Sequence, residues 1–304
     1  MADEMVDLSD LDGPPPTWKW AVDARVGVIG GMGEMGSLFA RFFRERGFRV
    51  AVSDRDTEFD NLQLVQMSDI VIVAVPLHVT VDVIQGLVPH LLPEQLLMDL
   101  SSLKAVPLRE MLRSRASVIG LHPMFGGRIS SFHGQTLVAC PARVDPAAWD
   151  QLKGLFTREG IRVKETSGEE HDRMMAIIQV LFHLTTMLTG RVLRDMGVDI
   201  AETLEYTSPS YRLEINTIGR MFAQSGALYS AITQLNPATA DILHHLIKGL
   251  RCYETWYASG NLNAFIEDFR LSAEHLGDFC REAYKESSAI LDFTVKLGNR
   301  KPSS

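Results

Sequence analysis

Cysteine is scarce. Only Cys140, Cys252 and Cys280 occur in 304 residues, too few and too scattered for a disulfide framework or a metal knuckle, and they read as packed free thiols. The nine histidines show no HExxH or similar spacing, so nothing announces a metal site. Clustered Lys and Arg are missing, and the net charge is -8 at pH 7, which excludes a nucleic-acid surface but still allows an anionic small molecule. No apolar run approaches the roughly 20 residues that span a bilayer. The N-terminus, MADEMVDLSDLDGPPPTWKW, is acidic where a signal peptide is basic and then apolar. The expectation is a cytoplasmic protein with no membrane partner.

What is present is an ordinary globular composition, 46% hydrophobic and 22% charged, over a length that accommodates two cores. Residues 1–22, with Pro14, Pro15 and Pro16, read as a flexible tail. From Arg25 to about Val163, short β-branched runs alternate with amphipathic stretches. RVGVIG, FRVAVSD, DIVIVAVP, QLLMDLS, SVIGLHP and TLVAC each read as a strand, several too apolar for a one-sided sheet. Such runs fit a Rossmann-type, doubly wound parallel sheet covered by helices on both faces. Beyond about Gly168 the strand-like runs stop and helical periodicity takes over. In HDRMMAIIQVLFHLTTMLTG, positions Met174, Ile178, Leu181, Phe182, Thr185 and Leu188 recur three and four apart, predicting one buried face. Ser208 followed by Pro209 predicts the start of the next helix. The division adopted is a dinucleotide-binding domain over 23–166 and an all-helical domain over 167–304.

The dinucleotide reading rests on VGVIGGMGEMGSLFARFFRERGFRVAVSDR. Gly31, Gly33 and Gly36 have GxGxxG spacing between a strand-like and a helix-like run. The first makes a tight turn, the second admits a pyrophosphate, and the third lets helix pack on strand. Met35 lies inside the same loop. Asp54 ends the next strand, 23 positions after Gly31, close to the roughly 20 expected of a ribose-binding acid. It favours NAD over NADP, although Arg55 beside it could stack on adenine or meet a 2′-phosphate. Val75 and Pro76 end the third strand over the cofactor. His78 reads as a solvated loop histidine.

Two further strands end on chemistry. MDLSSLK places Ser101, Ser102 and Lys104 at one carboxyl end, and IGLHPMFGG places His122 at the next. Ligands bind outside such ends in an open parallel sheet, so Ser102 and His122 are aimed at the nicotinamide. A neutral histidine there can take a hydroxyl or amine proton as hydride leaves the same carbon. A satisfied structural histidine is the alternative reading. In the helical half, His183 follows Gln179 by four. Arg212, Asn216 and Arg220 share one helix face, where an arginine fork would match a carboxylate or simply be solvated.

Taken together, GGMGEMGSLF, VIVAVPLHVT, DLSSLK, GLHPMFG, EHDRMMAIIQ, SPSYRLE and GRMFAQ, in this order, resemble the prephenate dehydrogenase family from about Arg25 to Leu297. The HPMFG version resembles the enteric enzymes fused to chorismate mutase, yet residues 1–22 are too few to hold a mutase domain. The resemblance implies NAD-dependent oxidative decarboxylation of prephenate to 4-hydroxyphenylpyruvate in tyrosine biosynthesis, and a homodimer formed through the helical domain. It implies His122 as acceptor for the 4-hydroxyl and Ser102 as its neighbour. It further implies Arg220 as carboxylate clamp, His183 with Gln179 and Phe182 as pocket lining, and Lys104 near cofactor and substrate.

Two departures stand out: Phe182 replaces an arginine of the enteric relatives, and GGRISS introduces Arg128. Both leave open a 4-amino-4-deoxyprephenate dehydrogenase making 4-aminophenylpyruvate. A β-hydroxyacid dehydrogenase would need a catalytic lysine in the helical domain, where Lys248 and Lys285 are the central candidates and neither has a glycine-rich substrate motif beside it. A NAD-binding sensor without activity would make the His122, Ser102 and Arg220 set accidental.

Overall fold

The structure, a computed structural model, describes residues 24–298. The tail expected over 1–22 lies outside the described residues. Contacts divide the chain into two compact units. One runs up to Ala176 and takes in Gln234–Asn236; the other holds Ile177–Thr233 and the residues from Pro237 onward.

The first unit begins β1 (Arg25–Ile29), α1 (Glu34–Arg44), β2 (Arg49–Ser53), α2 (Asn61–Gln66), β3 (Ile70–Val73) and α3 (Leu77–Leu87). It continues with β4 (Leu96–Asp99), α4 (Ala105–Met111), β5 (Ser117–Pro123), β6 (Thr136–Arg143), α5 (Pro146–Arg158), β7 (Arg162–Glu165) and α6 (Gly168–Met175). The strands form one sheet in the order β2-β1-β3-β4-β5-β6-β7. Alternation explains why IVIV of β3 is wholly apolar. Ile70 and Ile72 enter a core with Phe42, Phe43 and Phe156 on one face, while Val71 and Val73 enter a second core with Leu64, Ile84 and Met111. The six expected strands are all present, and β7 adds a seventh. Strict parallelism does not hold: β6 pairs antiparallel to β5, with a register shift at Val118/Ile119, and β7 then runs parallel to β6. The connection from Met124 to Gln135 carries no helix, whereas a parallel return is usually made through a crossover helix. The boundary expected after residue 166 falls between β7 and α6, whereas the contact division comes within the helical run that follows.

The second unit is helical throughout: α7 (Phe182–Asp195), α8 (Ile200–Glu205), α9 (Pro209–Phe222), α10 (Gly226–Leu235), α11 (Thr239–Ala258), α12 (Leu262–Leu276) and α13 (Phe279–Gly298). As expected, Ser208 caps α9, its hydroxyl accepting from the Tyr211 N–H at 3.1 Å with Pro209 in the first turn. α9 packs against α7 and α13. Ile215, Ile218 and Met221 are buried on it, while Phe222 stays largely exposed, lying over Gly190 of α7.

Two expectations about the run from Gly168 to Asp195 are corrected. Met174, Ile178, Phe182 and Leu188, taken as a buried stripe, are each at least 38% exposed in the single chain. A π-helical turn over Ala176–Leu181 separates α6 from α7 and breaks the 3.6-residue period on which that stripe was drawn. The run is also, by length and composition, apolar enough to cross a membrane, contrary to the reading that no such stretch exists. Gln179, His183, Thr185, Thr186 and Thr189 lie within it, and polar groups of that number would be costly in hydrocarbon.

Gly36 shows how tightly the β1–α1 turn is closed. A Cβ there would stand 2.2 Å from the Gly30 carbonyl oxygen and 2.9 Å from the Gly31 Cα, both backbone atoms that cannot swing aside. Gly36→Ala is expected to cost about 1 to 3 kcal/mol and lower the thermal midpoint by several degrees. By contrast Gly86→Ala, with nothing within 4 Å in the last turn of α3, should leave it unchanged or raise it. Equal midpoints for Gly36→Ala and the parent, followed by circular dichroism, would remove the close-packing argument.

Candidate functional site: a nucleotide cleft and a buried histidine pair

Strand order reverses direction from β1, with β2 on one side and β3 on the other, which makes the carboxyl ends of β1 and β3 the crevice of the sheet. A cleft of about 1040 Å³ opens there, lined by Gly30, Met32, Gly33, Asp54, Arg55, Asn61, Val75, Pro76 and His78 among others. The tight turn is made by Gly30, with φ +78°, rather than by Gly31, the glycine assigned that task from spacing. Gly31 lacks a side chain for another reason: a Cβ would meet Val52 at 2.5 Å. Gly31, Met35 and Gly36 shape the loop without lining the cleft, while Gly33, Asp54, Arg55, Val75 and Pro76 line it.

The cleft suits a dinucleotide. Gly33 begins α1 without any side-chain cap, so the first amides of an eleven-residue helix are left for an anion. Asp54 is poised at the end of β2, accepting from the N–H groups of Met32 at 3.1 Å and Arg55 at 2.9 Å. A carboxylate has about four acceptor positions, so capacity remains for ribose hydroxyls. Arg128, from the GGRISS loop, is 87% exposed and donates to Glu34 in the first turn of α1 at 2.7 Å.

On the same sheet, β5 is buried along its whole length and carries His122, which is 3% exposed. Its Nδ1 lies 2.8 Å from Nε2 of His171, and His171 Nδ1 lies 2.7 Å from Oδ1 of Asp172. Asp172 is held by the backbone: Lys104 N–H donates to Oδ1 at 2.8 Å and Ala105 N–H to Oδ2 at 2.9 Å. Asn236 donates to the Asp172 carbonyl at 3.0 Å. Burial, then the neighbouring His171 ring and the Lys104 ammonium, pushes His122 well below the usual histidine range, so the ring is neutral near pH 7. Lys104 is wholly buried and points inward, its ammonium paired with Asp99 and donating to the Leu121 carbonyl at 2.9 Å. Desolvation pulls that ammonium below its ordinary range, and the Asp99 carboxylate opposes the fall. Gly120 makes room for it, since a Cβ would stand 2.9 Å from the lysine Cδ. Ser101 bonds to Asp99, whereas Ser102 is half-buried in the turn after β4 with no hydrogen bond recorded among the described residues.

The family model for the prephenate dehydrogenase nucleotide-binding domain matches residues 39–165, and that for the prephenate dehydrogenase dimerization domain matches 167–271. The T-protein of Haemophilus influenzae is 34% identical over 268 residues, which are 88% of this chain and 71% of that protein. This chain belongs to the prephenate dehydrogenase family. The fold agrees with the crystal structure of prephenate dehydrogenase from Aquifex aeolicus in complex with hydroxyphenyl propionate and NAD+, at a TM-score of 0.66 and 17% identity, covering 85% of this chain and all of that one. A 4-amino-4-deoxyprephenate dehydrogenase from Streptomyces pristinaespiralis is 24% identical over 76% of this chain and 83% of its own length.

The remaining candidate residues of this family member lie in the helical unit. Gln179 belongs to the π turn; Phe182, at the start of α7, is 51% exposed. His183 is half-buried, its ring edge-on to Tyr229 with centroids 4.8 Å apart and its Nδ1 buried with no hydrogen-bond partner among the described residues, and burial lowers its pKa. Arg220 is exposed on α9, along with Arg212 and Asn216, and lies within electrostatic reach of Tyr229, whose phenol burial pushes upward. Tyr229 was not singled out from sequence, and neither were Gly30, Met32, Asn61, His171 and Asp172. For His171 and Asp172 a signal existed: adjacent ionisable residues that α6 buries although the helix is otherwise polar, four and five positions after the Ser167 cap.

Asp54 at the β2 end bears directly on cofactor choice. NAD should be preferred to NADP by at least about tenfold in kcat/KM, the ratio that 1.4 kcal/mol of carboxylate–phosphate repulsion produces. Matched initial rates with the two cofactors check this, and equal values would overturn the assignment to Asp54.

Proposed function

We propose that this enzyme, an NAD-dependent oxidoreductase, converts prephenate to 4-hydroxyphenylpyruvate by oxidative decarboxylation in tyrosine biosynthesis. The observation that carries the reading is a neutral, buried His122 at the end of β5 in the same sheet whose β1 and β3 ends form the dinucleotide cleft. When bound, NAD supplies the hydride acceptor. Gly33 and the first amides of α1 would hold its pyrophosphate, Asp54 its adenine ribose, and Val75 and Pro76 the wall beneath the rings.

The chain's own residues do the rest. His122 accepts the proton of the 4-hydroxyl while the C4 hydrogen departs with its electron pair, so the oxygen's bonding pair becomes the carbonyl π bond. The bond from C1 to the ring carboxylate then breaks as CO2 leaves, its electrons enter the ring, and the oxygen recovers a proton as the phenol forms. A neutral base is the correct state for this step, and burial keeps it neutral. Ser102 is proposed to bond the reacting hydroxyl or the His122 ring. Arg220 would clamp a substrate carboxylate, with His183, Gln179 and Phe182 lining the pocket. Lys104 supports the site from behind by holding Leu121, one residue before His122, rather than reaching substrate.

We further propose a cytoplasmic homodimer. Neither α11 nor α12 buries a single residue in the lone chain, yet Leu243, Ile247, Leu250 and Tyr253 repeat on one side of α11, with Ile266 and Phe269 exposed on α12. A second copy would cover such surface. The amine-bearing substrate is the weaker reading, since the relative with that name is the more distant one.

NADH formation with prephenate and, separately, with 4-amino-4-deoxyprephenate tests the substrate: a large kcat/KM advantage for prephenate is expected, and the reverse overturns it. His122→Asn should lower kcat by about two to four decades with NAD affinity little changed. Because the His122 cation is disfavoured, the acid limb of the parent's kcat/KM profile should lie well below pH 6.5. A parental rate in His122→Asn removes the histidine from the reaction. Arg220→Ala should raise the prephenate KM by about tenfold or more, through loss of a charge-assisted pair of about 1.5 to 3 kcal/mol; an unchanged KM would reassign the arginine to structure.

A further inference from the structure

The hydrogen-bond chain behind His122 has a direction, and the direction can be worked out from one end. Asp172 already accepts two backbone N–H groups, one on each oxygen, from Lys104 and Ala105, and a carboxylate offers lone pairs only. His171 Nδ1, 2.7 Å from Oδ1, must therefore carry the proton of that bond. In a neutral ring Nε2 is then the acceptor, and it lies 2.8 Å from His122 Nδ1. A bond at that separation needs a proton between the two nitrogens, and only His122 Nδ1 can provide it. We propose that His171, anchored by Asp172, holds His122 in the tautomer with its proton on Nδ1 and its lone pair on Nε2, so that His171 is a positioning residue for proton transfer. This rests on the reading of His122 as the base.

The alternative tautomer shows what is gained. With the proton on Nε2, His122 could only donate to a substrate hydroxyl and could not take its proton. The arrangement follows the logic of a carboxylate orienting a catalytic imidazole, lengthened by one ring. When Nε2 of His122 takes the hydroxyl proton, the pair from the O–H bond stays with oxygen. The resulting imidazolium keeps its Nδ1 proton donated to His171, and the Asp172 carboxylate faces the far side of that ring. Both histidines are buried, His122 at 3% and His171 at 1% exposure, so no water competes freely for either bond. The other titratable groups packed around the pair are already committed. Lys104 and Asp99, from the α4 entry and β4, are paired with one another, and the Cys140 thiol on β6 is pushed up to about 12 by burial and stays neutral.

The experiment reads the tautomer directly. Full-length enzyme labelled with ¹⁵N-histidine gives long-range ¹H–¹⁵N correlations that distinguish Nδ1–H from Nε2–H rings, with His122→Asn assigning the His122 signals. Both His122 and His171 are expected as neutral Nδ1–H rings in the parent. His171→Gln, whose amide can donate to Asp172 and accept from His122, should keep the His122 tautomer and most of kcat. His171→Phe, of similar volume but with neither function, should release His122 to the Nε2–H form and lower kcat about 10- to 100-fold, the range for lost orienting contacts behind a ligand or base, with both KM values little changed. An Nε2–H His122 in the parent overturns the proposal, as does an equal loss of kcat in the Gln and Phe variants. The parent and His171→Gln spectra decide the matter even if His171→Phe fails to fold. A fully active His122→Asn would instead overturn the role of His122 itself, whatever tautomer the spectrum reports.

Discussion

The carboxylate of Asp172 is the hinge on which the buried chemistry of the sheet depends. It ties the opening amides of α4 to the head of α6, and through His171 it reaches a strand far away in sequence. A charge placed that deep is tolerated because its acceptor sites are filled by backbone donors and a ring N–H, each a charge-assisted bond. If it were neutralised, two α4 amides and one imidazole would lose their partner together. Lys104 makes the coupling tighter, since its backbone N–H serves Asp172 while its side chain serves Asp99 and Leu121. One residue thus positions the helix and the strand that flank the candidate base.

The same economy of placement governs the cofactor side. Gly30, Gly31 and Gly36 are needed for three different reasons: positive φ, contact with Val52, and contact with the Gly30 carbonyl. Gly30 and Gly33 also line the cleft, whereas Gly31 and Gly36 do not. Asp54, held by Met32 and Arg55 amides, is aligned before any ligand arrives, which lowers the ordering cost of binding. Gly31 and Gly36 thus serve only the packing of the turn while Gly30 and Gly33 also face the cleft, a distinction spacing alone cannot make.

The helical unit follows another constraint. Its helices have apolar stripes wider than one chain can cover, and α11 and α12 bury nothing on their own. Hydrophobic periodicity reports that a face must be covered but not by what. Met174, Ile178, Phe182 and Leu188 illustrate this: their repeat is genuine, yet they face outward in the single chain, and the π turn rotates the helix between them.

Strand positions, the glycine turn, Asp54, the Ser208 cap and His122 at a strand end were legible from the amino-acid order, because each depends on local periodicity or on neighbours within a few residues. The family, too, was carried by ordered short motifs. Tertiary structure alone decided that β6 reverses direction, that Gly30 rather than Gly31 takes the positive φ, and that Lys104 turns inward to Asp99. It alone brought His171 to His122 across 49 residues of sequence. Hydrogen-bond partners between distant segments leave no period in a sequence, since their geometry exists only once the sheet and α6 have packed.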